Sequence, residues 1–502
     1  MKFRKPLGIL LKEAEETGEG TLKRTLGAGN LIALGIGAII GAGLFVRTAA
    51  AAADHAGPSV TLSFILAAVG CGLAGLCYAE FASMIPIAGS AYTYSYATMG
   101  EVIAWIIGWD LVLEYAVGAA TVSIAWSEYL NKLLETFGMS IPYELCHSPF
   151  QVSPDGVNGI INLPALFIVI VLSLVLIRGT KESANINGII VILKVAIVIA
   201  FILLGWSFMN PVNHTPYTPV NLGEQAFFSG EKGFLDYFEN DFGKFGMSGI
   251  VSGAGVVFFA FIGFDAVSTA AQEAKNPKKD MPIGILVSLV ICTVLYVLFS
   301  HVLTGVANYS EFATAGKEAS VAYAIERYMP GFEWLSILIT VAILAGFSSV
   351  ILVMLLGQSR VFFSMSKDGL VPKIFSEVHP KYQTPYKSNL IFLVFVGLFA
   401  AFVPGDVVGD MTSIGTLFAF VLVCIGVIVM RRTDPNTPRA FKTPGMPYLP
   451  IIGAAACLLM MVGLGKHNWE RLIIWMALGF VIYFAYSVKH SIVRKQSRGE
   501  QS

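Results

Sequence analysis

Long apolar runs separated by short polar segments dominate the hydrophobic pattern of this chain. A helix crosses a bilayer core about 30 Å thick with about 20 mostly apolar residues. The pattern therefore predicts about twelve membrane-spanning helices. They are expected at residues 29–53, 58–84, 97–130, 163–178, 185–208, 248–271, 281–306, 333–364, 388–403, 411–430, 448–464 and 470–488.

Composition agrees with this interpretation. Apolar residues make up 55% of the 502 residues and charged residues 13%, whereas about 25% charged residues is usual for a soluble protein. The mean hydropathy is +0.71. These values exclude a water-soluble globular protein and predict an all-α integral membrane protein. Membrane lipids are its expected surroundings, and no nucleic-acid partner is predicted. The leader at residues 2–24 carries charges of both signs and does not indicate a cleavable signal peptide.

Lysine and arginine residues are unequally divided between the two sides of the predicted spans. If the N-terminus is cytoplasmic, most of the 33 Lys and Arg residues lie on that side. The positive-inside rule then predicts that both termini are cytoplasmic, as an even number of spans requires. The acidic segment at residues 210–245 would lie outside, where a solvated charged loop is the simplest interpretation.

Cysteine and metal-binding patterns add little. Among the six cysteines, Cys146 alone falls in a predicted outer loop, so no disulfide framework is expected. No C-x-x-C pair, histidine-rich cluster or metal-spaced set of carboxylates occurs in the sequence. No metal or other cofactor is therefore predicted.

Lys194 lies in the middle of the apolar run at residues 187–206. A lone ammonium in hydrocarbon is costly, so such a residue indicates a functional pathway through the membrane. The alternative is a lysine whose side chain snorkels to the interface. The central position of Lys194 in its run disfavours that alternative.

Two of the predicted spans contain glycines that interrupt a helix. Gly35, Gly37, Gly41 and Gly43 follow one another closely in the first span, and each costs about 1 kcal/mol in helix propensity. The sixth span places a glycine and a carboxylate in mid-membrane, at Gly263 and Asp265. Both spans are predicted to be broken helices, although glycines also permit close helix packing.

A broken helix exposes backbone N–H and C=O groups, which hydrocarbon tolerates only where they line a cavity and bind something. The N–H groups suit an anion and the carbonyls suit a cation, so both together suit a zwitterion. Broken spans in corresponding positions also suggest two inverted five-helix halves. The predicted organisation is an N-terminal segment (1–28), two halves (29–208 and 248–430) joined by an acidic loop (209–247), accessory helices (431–488) and a tail (489–502).

Several motifs resemble one known superfamily in their order and spacing. They are GIGAIIGAGLF at 35–45, GSAYTYSY at 89–96, GWDLVLEY at 108–115, FFAFIGFDAVSTAA at 258–271 and GQSRVFFSMSKDGLVP at 357–372. The chain resembles the amino acid, polyamine and organocation superfamily, closest to bacterial members of the cationic amino acid transporter family. The resemblance implies a leucine-transporter-like fold and amino acid uptake or exchange. The long acidic loop departs from bacterial members, and its role stays open.

The resemblance also implies a substrate site at the two breaks. The substrate carboxylate would face N–H groups after Gly41, namely those of Ala42 and Gly43. The substrate ammonium would face the carbonyls of Ile39, Phe259, Ala260 and Ile262.

The resemblance also matches Lys194 to a lysine in the fifth span of proton-coupled relatives. That lysine occupies the position where sodium-coupled relatives bind a cation between spans 1 and 8. The protonation of Lys194 would depend on whether span 1 carbonyls and the span 8 hydroxyls of Ser348 and Ser349 solvate the charge. A proton would then bias one conformation.

Two further carboxylates attract attention. Asp110 and Glu114 fall on one helix face because they are four residues apart. Glu114 is predicted to contact the substrate ammonium through water or to take part in coupling, with a structural carboxylate as the alternative. Asp265, which follows the break at Gly263, is predicted to cap the second half of the sixth span.

The pocket walls are expected to be apolar. Phe261 or Phe264 is predicted to close over the substrate as a gate, and Met354 to form a flexible wall that favours small or neutral side chains. Ordinary packing is the alternative for all three.

The sequence thus predicts a secondary active transporter in a bacterial inner membrane that moves L-amino acids by alternating access. Proton symport and neutral substrates such as alanine are favoured, with cationic amino acids or exchange as alternatives. A permease-like sensor without net flux is a second class. An enzyme is not predicted, because no nucleophile, base and orienting group recur at catalytic spacing. The oligomeric state stays open.

Overall fold

The computed structural model describes residues 3–6, 8, 26–85, 90–178, 183–221, 244–271, 274–313, 320–382 and 384–498. Most of the N-terminal segment and most of the predicted acidic loop lie outside the described residues. The prediction for the acidic loop therefore also falls outside them.

The described chain is built from helices, with three isolated β-bridges beside them. Eight helices are long and apolar enough to cross a membrane, and four more are apolar but shorter. Numbered along the chain, they form span 1 (Ala28–Ile39 and residues 43–56), span 2 (Val60–Met84), span 3 (Glu101–Thr136), span 4 (Leu163–Arg178), span 5 (Ser183–Gly205), span 6 (Gly246–Val257, Phe258–Phe261 and Ala266–Thr269), span 7 (Pro277–Val306), span 8 (Glu333–Lys367), span 9 (Tyr386–Phe402), span 10 (Gly405–Thr433), span 11 (Tyr448–Gly463) and span 12 (Lys466–His490).

The all-α membrane fold predicted from the apolar runs is confirmed, with differences at the ends of spans. Residues 97–100 do not start span 3, because Ser90–Thr98 forms a separate helix and Gly100 turns the chain with φ of 96°. Span 10 starts at Gly405 instead of residue 411. A hydropathy pattern ends at charged residues such as Asp406 and Asp410, but the helix continues through them.

The outer surface of the bundle exposes large apolar side chains, as a lipid environment requires. Spans 5 and 12 direct large exposed apolar side chains outwards, among them Ile192, Leu203, Ile474 and Phe484, which suits contact with lipid. Span 7 packs against spans 1 and 2. The two interrupted spans, 1 and 6, contact each other through their breaks in the interior.

Buried ion pairs fasten the face of the bundle on which span 1 begins. Glu101 is buried at the start of span 3 and accepts hydrogen bonds from Tyr483 (2.9 Å), Arg494 (2.7 Å) and Ser491. Lys5 lies 3.1 Å from Asp368 after span 8. Residues 3–6 and the described part of the tail after span 12 are thereby attached to the bundle.

Glu80, near the end of span 2, is the centre of a second buried cluster. Its carboxylate accepts from Arg431 of span 10 at 2.7 and 2.9 Å and from the Thr443 N–H at 2.8 Å. Arg439 lies 3.2 Å from it. This cluster joins span 2 to span 10 and to the loop that follows.

Glu80→Ala should destabilise the protein by about 3–5 kcal/mol, because removal of one partner leaves buried arginine charge uncompensated. Thermal unfolding in detergent measures this. The matched control is Glu470→Ala, whose partner Lys466 and own carboxylate are about half exposed. The control should change the unfolding temperature much less, and equal effects in the two variants would contradict the prediction.

On the opposite face, His214 lies between the end of span 5 and span 7. Its Nε2 is 3.1 Å from the Thr304 hydroxyl, and its ring lies 4.6 Å from that of His301. Burial, together with the neighbouring His301, lowers the pKa of His214 below its ordinary value of 6.5. The folded state therefore favours neutral His214.

Stability should consequently decrease in acid. The contribution of neutral His214 is complete above about pH 6.5, the unfolded value, and is lost as the pH falls through the lower folded value. Unfolding temperatures measured from pH 7.5 down to about pH 5 should fall less in His214→Gln than in the wild type. Parallel curves would show that His214 does not contribute.

Candidate functional site

The helix of span 1 stops where the glycines predicted a break. Its first part ends at Ile39, and Ile40 is extended, with φ −73° and ψ 104°. The helix restarts as a π-helical turn, Gly43–Arg47. The first N–H groups of the restarted helix have no acceptors within that helix. The last carbonyls of the preceding helix likewise have no donors within their own helix. Both sets of groups occur here within a few residues.

Span 6 is interrupted in a similar way. Its α-helix ends at Val257 and passes through the 3₁₀ turn Phe258–Phe261. Ile262 is extended, and Gly263 has φ of 109°, which disfavours residues with a side chain. Asp265 occupies the N-cap position of Ala266–Thr269, but its carboxylate makes no capping hydrogen bond. The expected side-chain cap is therefore not formed in this conformation.

The two breaks are in direct backbone contact. A Cβ atom on Gly43 would lie 2.2 Å from the Cα of Ala260, and one on Gly263 would lie 2.9 Å from the Ala38 carbonyl oxygen. Neither distance leaves room for a methyl group. The candidate carboxylate-binding residues, Ala42 and Gly43, are thus beside the candidate ammonium-binding carbonyls of span 6. Gly41 faces Val350 of span 8.

Tyr296 of span 7 joins both breaks, and the sequence analysis did not single it out. Its hydroxyl lies 2.9 Å from the Ile39 carbonyl and 3.0 Å from that of Ala260. One proton can be donated to only one carbonyl at a time. Two of the carbonyls predicted to receive the substrate ammonium therefore share this one donor. A tyrosine near the middle of an apolar span was the signal available in the sequence.

Lys194 reaches the break in span 1 from span 5. It is 2% exposed, and its Nζ donates to the carbonyls of Gly37 at 2.8 Å and Ile40 at 3.0 Å. Gly346 of span 8 leaves space for the side chain, since a Cβ there would lie 2.7 Å from Lys194 Cε. The predicted solvation by span 1 carbonyls is present in the geometry. The Ser348 hydroxyl instead donates to Leu344 of its own helix.

Glu114 lies on a π-helical turn of span 3, Leu113–Val117, and is fully buried. Turns of this kind often occur at functional sites. Its carboxyl lies within hydrogen-bonding reach of the Asp265 carboxyl. Asp110, one helical turn earlier, is also buried and lies close to Gly415 of span 10.

The predicted pocket walls are all buried. Phe261 packs against Phe64 and Tyr296, with ring centroids 6.2 and 5.2 Å away. Phe264 packs against Tyr78 and Phe420. Met354 of span 8 lies against Gly118 of span 3 and near Thr412 of span 10. Their surroundings are apolar, but a gating role stays a prediction.

Taken together, the breaks offer N–H donors, carbonyl acceptors and a buried lysine within an apolar interior. The N–H groups suit a carboxylate and the carbonyls suit an ammonium. Such an arrangement can bind the main chain of a free amino acid.

The family model described as amino acid permease matches residues 26–483. The chain belongs to this amino acid permease family. The match covers both broken spans and every predicted site residue.

Similar proteins are named as transporters. The permease is 44% identical to the branched-chain amino acid permease of Bacillus subtilis over 95% of this chain and 96% of that protein. It is 39% identical to the methylthioribose transporter of the same bacterium over 98% and 99% of the two chains. Identity to the vacuolar cationic amino acid transporter 4 of Arabidopsis thaliana is 33% over 84% and 65%. The predictions of a superfamily permease and of a transporter instead of an enzyme are confirmed.

The permease also has an ion pair that sequence reasoning did not find. Arg47, at the end of the π-helical turn in span 1, pairs with Asp410 of span 10. A Cβ on Gly409 would lie 3.2 Å from the Arg47 guanidinium carbon, so this glycine makes room for the pair. The second half of span 1 is thereby held against span 10. The sequence places these residues far apart and contains no signal of their pairing.

Gly43→Ala should abolish substrate binding by the permease, because the added methyl group would overlap the backbone of Ala260. Binding to protein purified in detergent measures the effect. Gly72→Ala in span 2 is the matched control, since nothing lies within 4 Å of the added Cβ. The control should retain binding, and normal binding by Gly43→Ala would contradict the contact between the breaks.

Proposed function

We propose that this permease is a proton-coupled symporter of L-amino acids with neutral side chains, working by alternating access. It would lie in the bacterial inner membrane with both termini cytoplasmic. The observation that carries the proposal is the Lys194 ammonium, which donates to two carbonyls at the break in span 1. The charge distribution along the sequence supports the orientation.

Lys194 can link a proton to a conformation. Gly37 and Ile40 lie at the C-terminal end of a helix, where the backbone carries partial negative charge and free carbonyls. A protonated Lys194 is therefore stabilised while this half-helix lies against span 5. If the half-helix moved away, the buried ammonium would lose both acceptors, and loss of the proton would become favourable. Protonation would thus bias the equilibrium between conformations.

Substrate and proton would meet at the same break. The Ile39 carbonyl is a candidate ligand of the substrate ammonium. In sequence, Ile39 lies between Gly37 and Ile40, whose carbonyls bind Lys194. The N–H groups of Ala42 and Gly43 follow directly and would bind the substrate carboxylate. A movement of this short segment would change both sites at once. Such shared geometry is what coupled transport requires.

Apolar surroundings support a neutral substrate. Phe259, Phe261 and Phe264 surround the break in span 6, and all three are buried. The branched-chain amino acid permease at 44% identity agrees with this preference. A relative of 39% identity is named for methylthioribose, so the substrate has to be measured. Cationic amino acids and exchange are the alternatives to be tested.

The test is uptake of labelled amino acids into proteoliposomes. A gradient of one pH unit supplies about 1.4 kcal/mol per proton and supports at most about tenfold accumulation for one proton per substrate. Accumulation of alanine or leucine should follow this gradient and not a sodium gradient. Lys194→Ala should abolish accumulation. Competition by alanine, leucine, arginine and methylthioribose should rank the neutral amino acids first.

The control variant is Lys466→Ala, whose side chain is about half exposed at the start of span 12. It should accumulate substrate like the wild type. Counterflow without gradient-driven accumulation would instead indicate exchange. Binding without flux under every gradient would indicate a sensor, and either result would overturn the symport proposal.

A further inference from the structure

Glu114 of span 3 and Asp265 of span 6 form an acid pair with a deficit of hydrogen-bond donors. Both side chains are fully buried and within hydrogen-bonding reach of each other. One oxygen of Asp265 accepts from Tyr115 and, at 3.3 Å, from Ser90. The second oxygen of Asp265 and both oxygens of Glu114 accept no well-aligned hydrogen bond from the described residues, although the Ala266 N–H lies close to the Asp265 carboxyl.

One hydroxyl beside Glu114 cannot supply all the missing donors. Thr416 of span 10 lies beside the Glu114 carboxyl and 2.9 Å from the Thr412 carbonyl, and its single proton can serve only one of these acceptors at a time. No lysine, arginine or histidine is among the described groups that act most strongly on either carboxyl. Two ionised carboxylates in contact without a cation would repel each other strongly.

We infer that Glu114 and Asp265 share one proton, which forms an O–H···O hydrogen bond between span 3 and span 6. A protonated carboxyl is a donor as well as an acceptor, so one proton provides the donor that the pair lacks. Because the two groups interact closely, the proton belongs to the pair and not to either residue. As a second proton site in the transport cycle, distinct from Lys194, the pair rests on the proposed proton-coupled function.

Among the described residues, the titratable groups that act most strongly on the pair are acids, tyrosines and a cysteine. Span 3 contributes Asp110 and Tyr115, span 2 contributes Tyr78 and Cys71, and the helix Ser90–Thr98 contributes Tyr94. Span 10 contributes the Thr416 hydroxyl. A proton is the occupant that this setting favours, because both carboxyls are fully buried and a proton needs no additional space.

Tyr78 indicates how the pair could lose its proton. Its hydroxyl is fully buried, has no hydrogen-bond partner among the described residues and lies close enough to both carboxyls to interact with them electrostatically. It could donate to the oxygen from which the proton leaves. Asp265 directly follows the break in span 6, so a movement of that segment would separate the two acids and release the link between spans 3 and 6.

Infrared spectroscopy of the purified protein at neutral pH tests the inference without any transport. A protonated carboxyl has its own C=O stretching band, which shifts in D₂O. Glu114→Gln and Asp265→Asn should each lose the same band, because the amide N–H of either variant supplies the donor in place of the proton. The double variant should lose no more than either single variant. Asp110→Asn is the control and should retain this band.

If one of the two single variants does not fold, the other still tests the inference. Loss of the band in one variant but not the other would show a single protonated acid and overturn the shared proton. Retention of all acid bands in both variants would show that the pair is ionised, which also overturns it. Arginine that binds the wild type and removes the band would show a site for cationic side chains instead. None of these outcomes depends on whether Lys194 couples transport.

Discussion

The interior of this permease depends on one constraint: backbone groups opened inside hydrocarbon must find partners. Spans 1 and 6 both give up helical hydrogen bonds near their centres, at Ile40 and at Ile262. Lys194 and Tyr296 satisfy several of the released carbonyls from neighbouring spans. A bound amino acid would satisfy others. In the proposed function, the broken helices, the lysine and the substrate would therefore form a single system of hydrogen bonds.

Charges in the bundle follow two patterns. Glu101, Glu80 and Asp410 each pair with an arginine and join spans that are distant in sequence. These pairs lie towards the ends of their spans. In the interior, by contrast, the hydrogen bonds of Lys194 within the described chain go to backbone carbonyls, and the Glu114–Asp265 pair has no cation among its strongest described neighbours. Groups held without a counter-ion can change protonation when their surroundings move, whereas arginine pairs mainly hold the structure.

Much of the site could be predicted because its components are costly in a membrane. Lys194 and Glu114 interrupt apolar runs, and Gly43 and Gly263 weaken helices in mid-span. Such residues are visible in a sequence because charged groups are costly in hydrocarbon and glycine lowers helix propensity. Tyr296 was missed because a tyrosine within a span usually indicates packing. The role of Asp265 changed because its nearest donors, Tyr115 and Ser90, come from other elements.

The sequence by itself determined the membrane class, the approximate positions of the spans and the two breaks, because these follow from hydropathy and helix propensity, which are local. Tertiary structure decided which groups meet: Tyr296 with both breaks, Arg47 with Asp410, and Glu114 with Asp265. It also decided the true starts of spans 3 and 10: Gly100 turns the chain before span 3, and span 10 continues through Asp410, which pairs with Arg47 of span 1. Contacts between distant residues depend on the packing of the whole bundle, which no local pattern records.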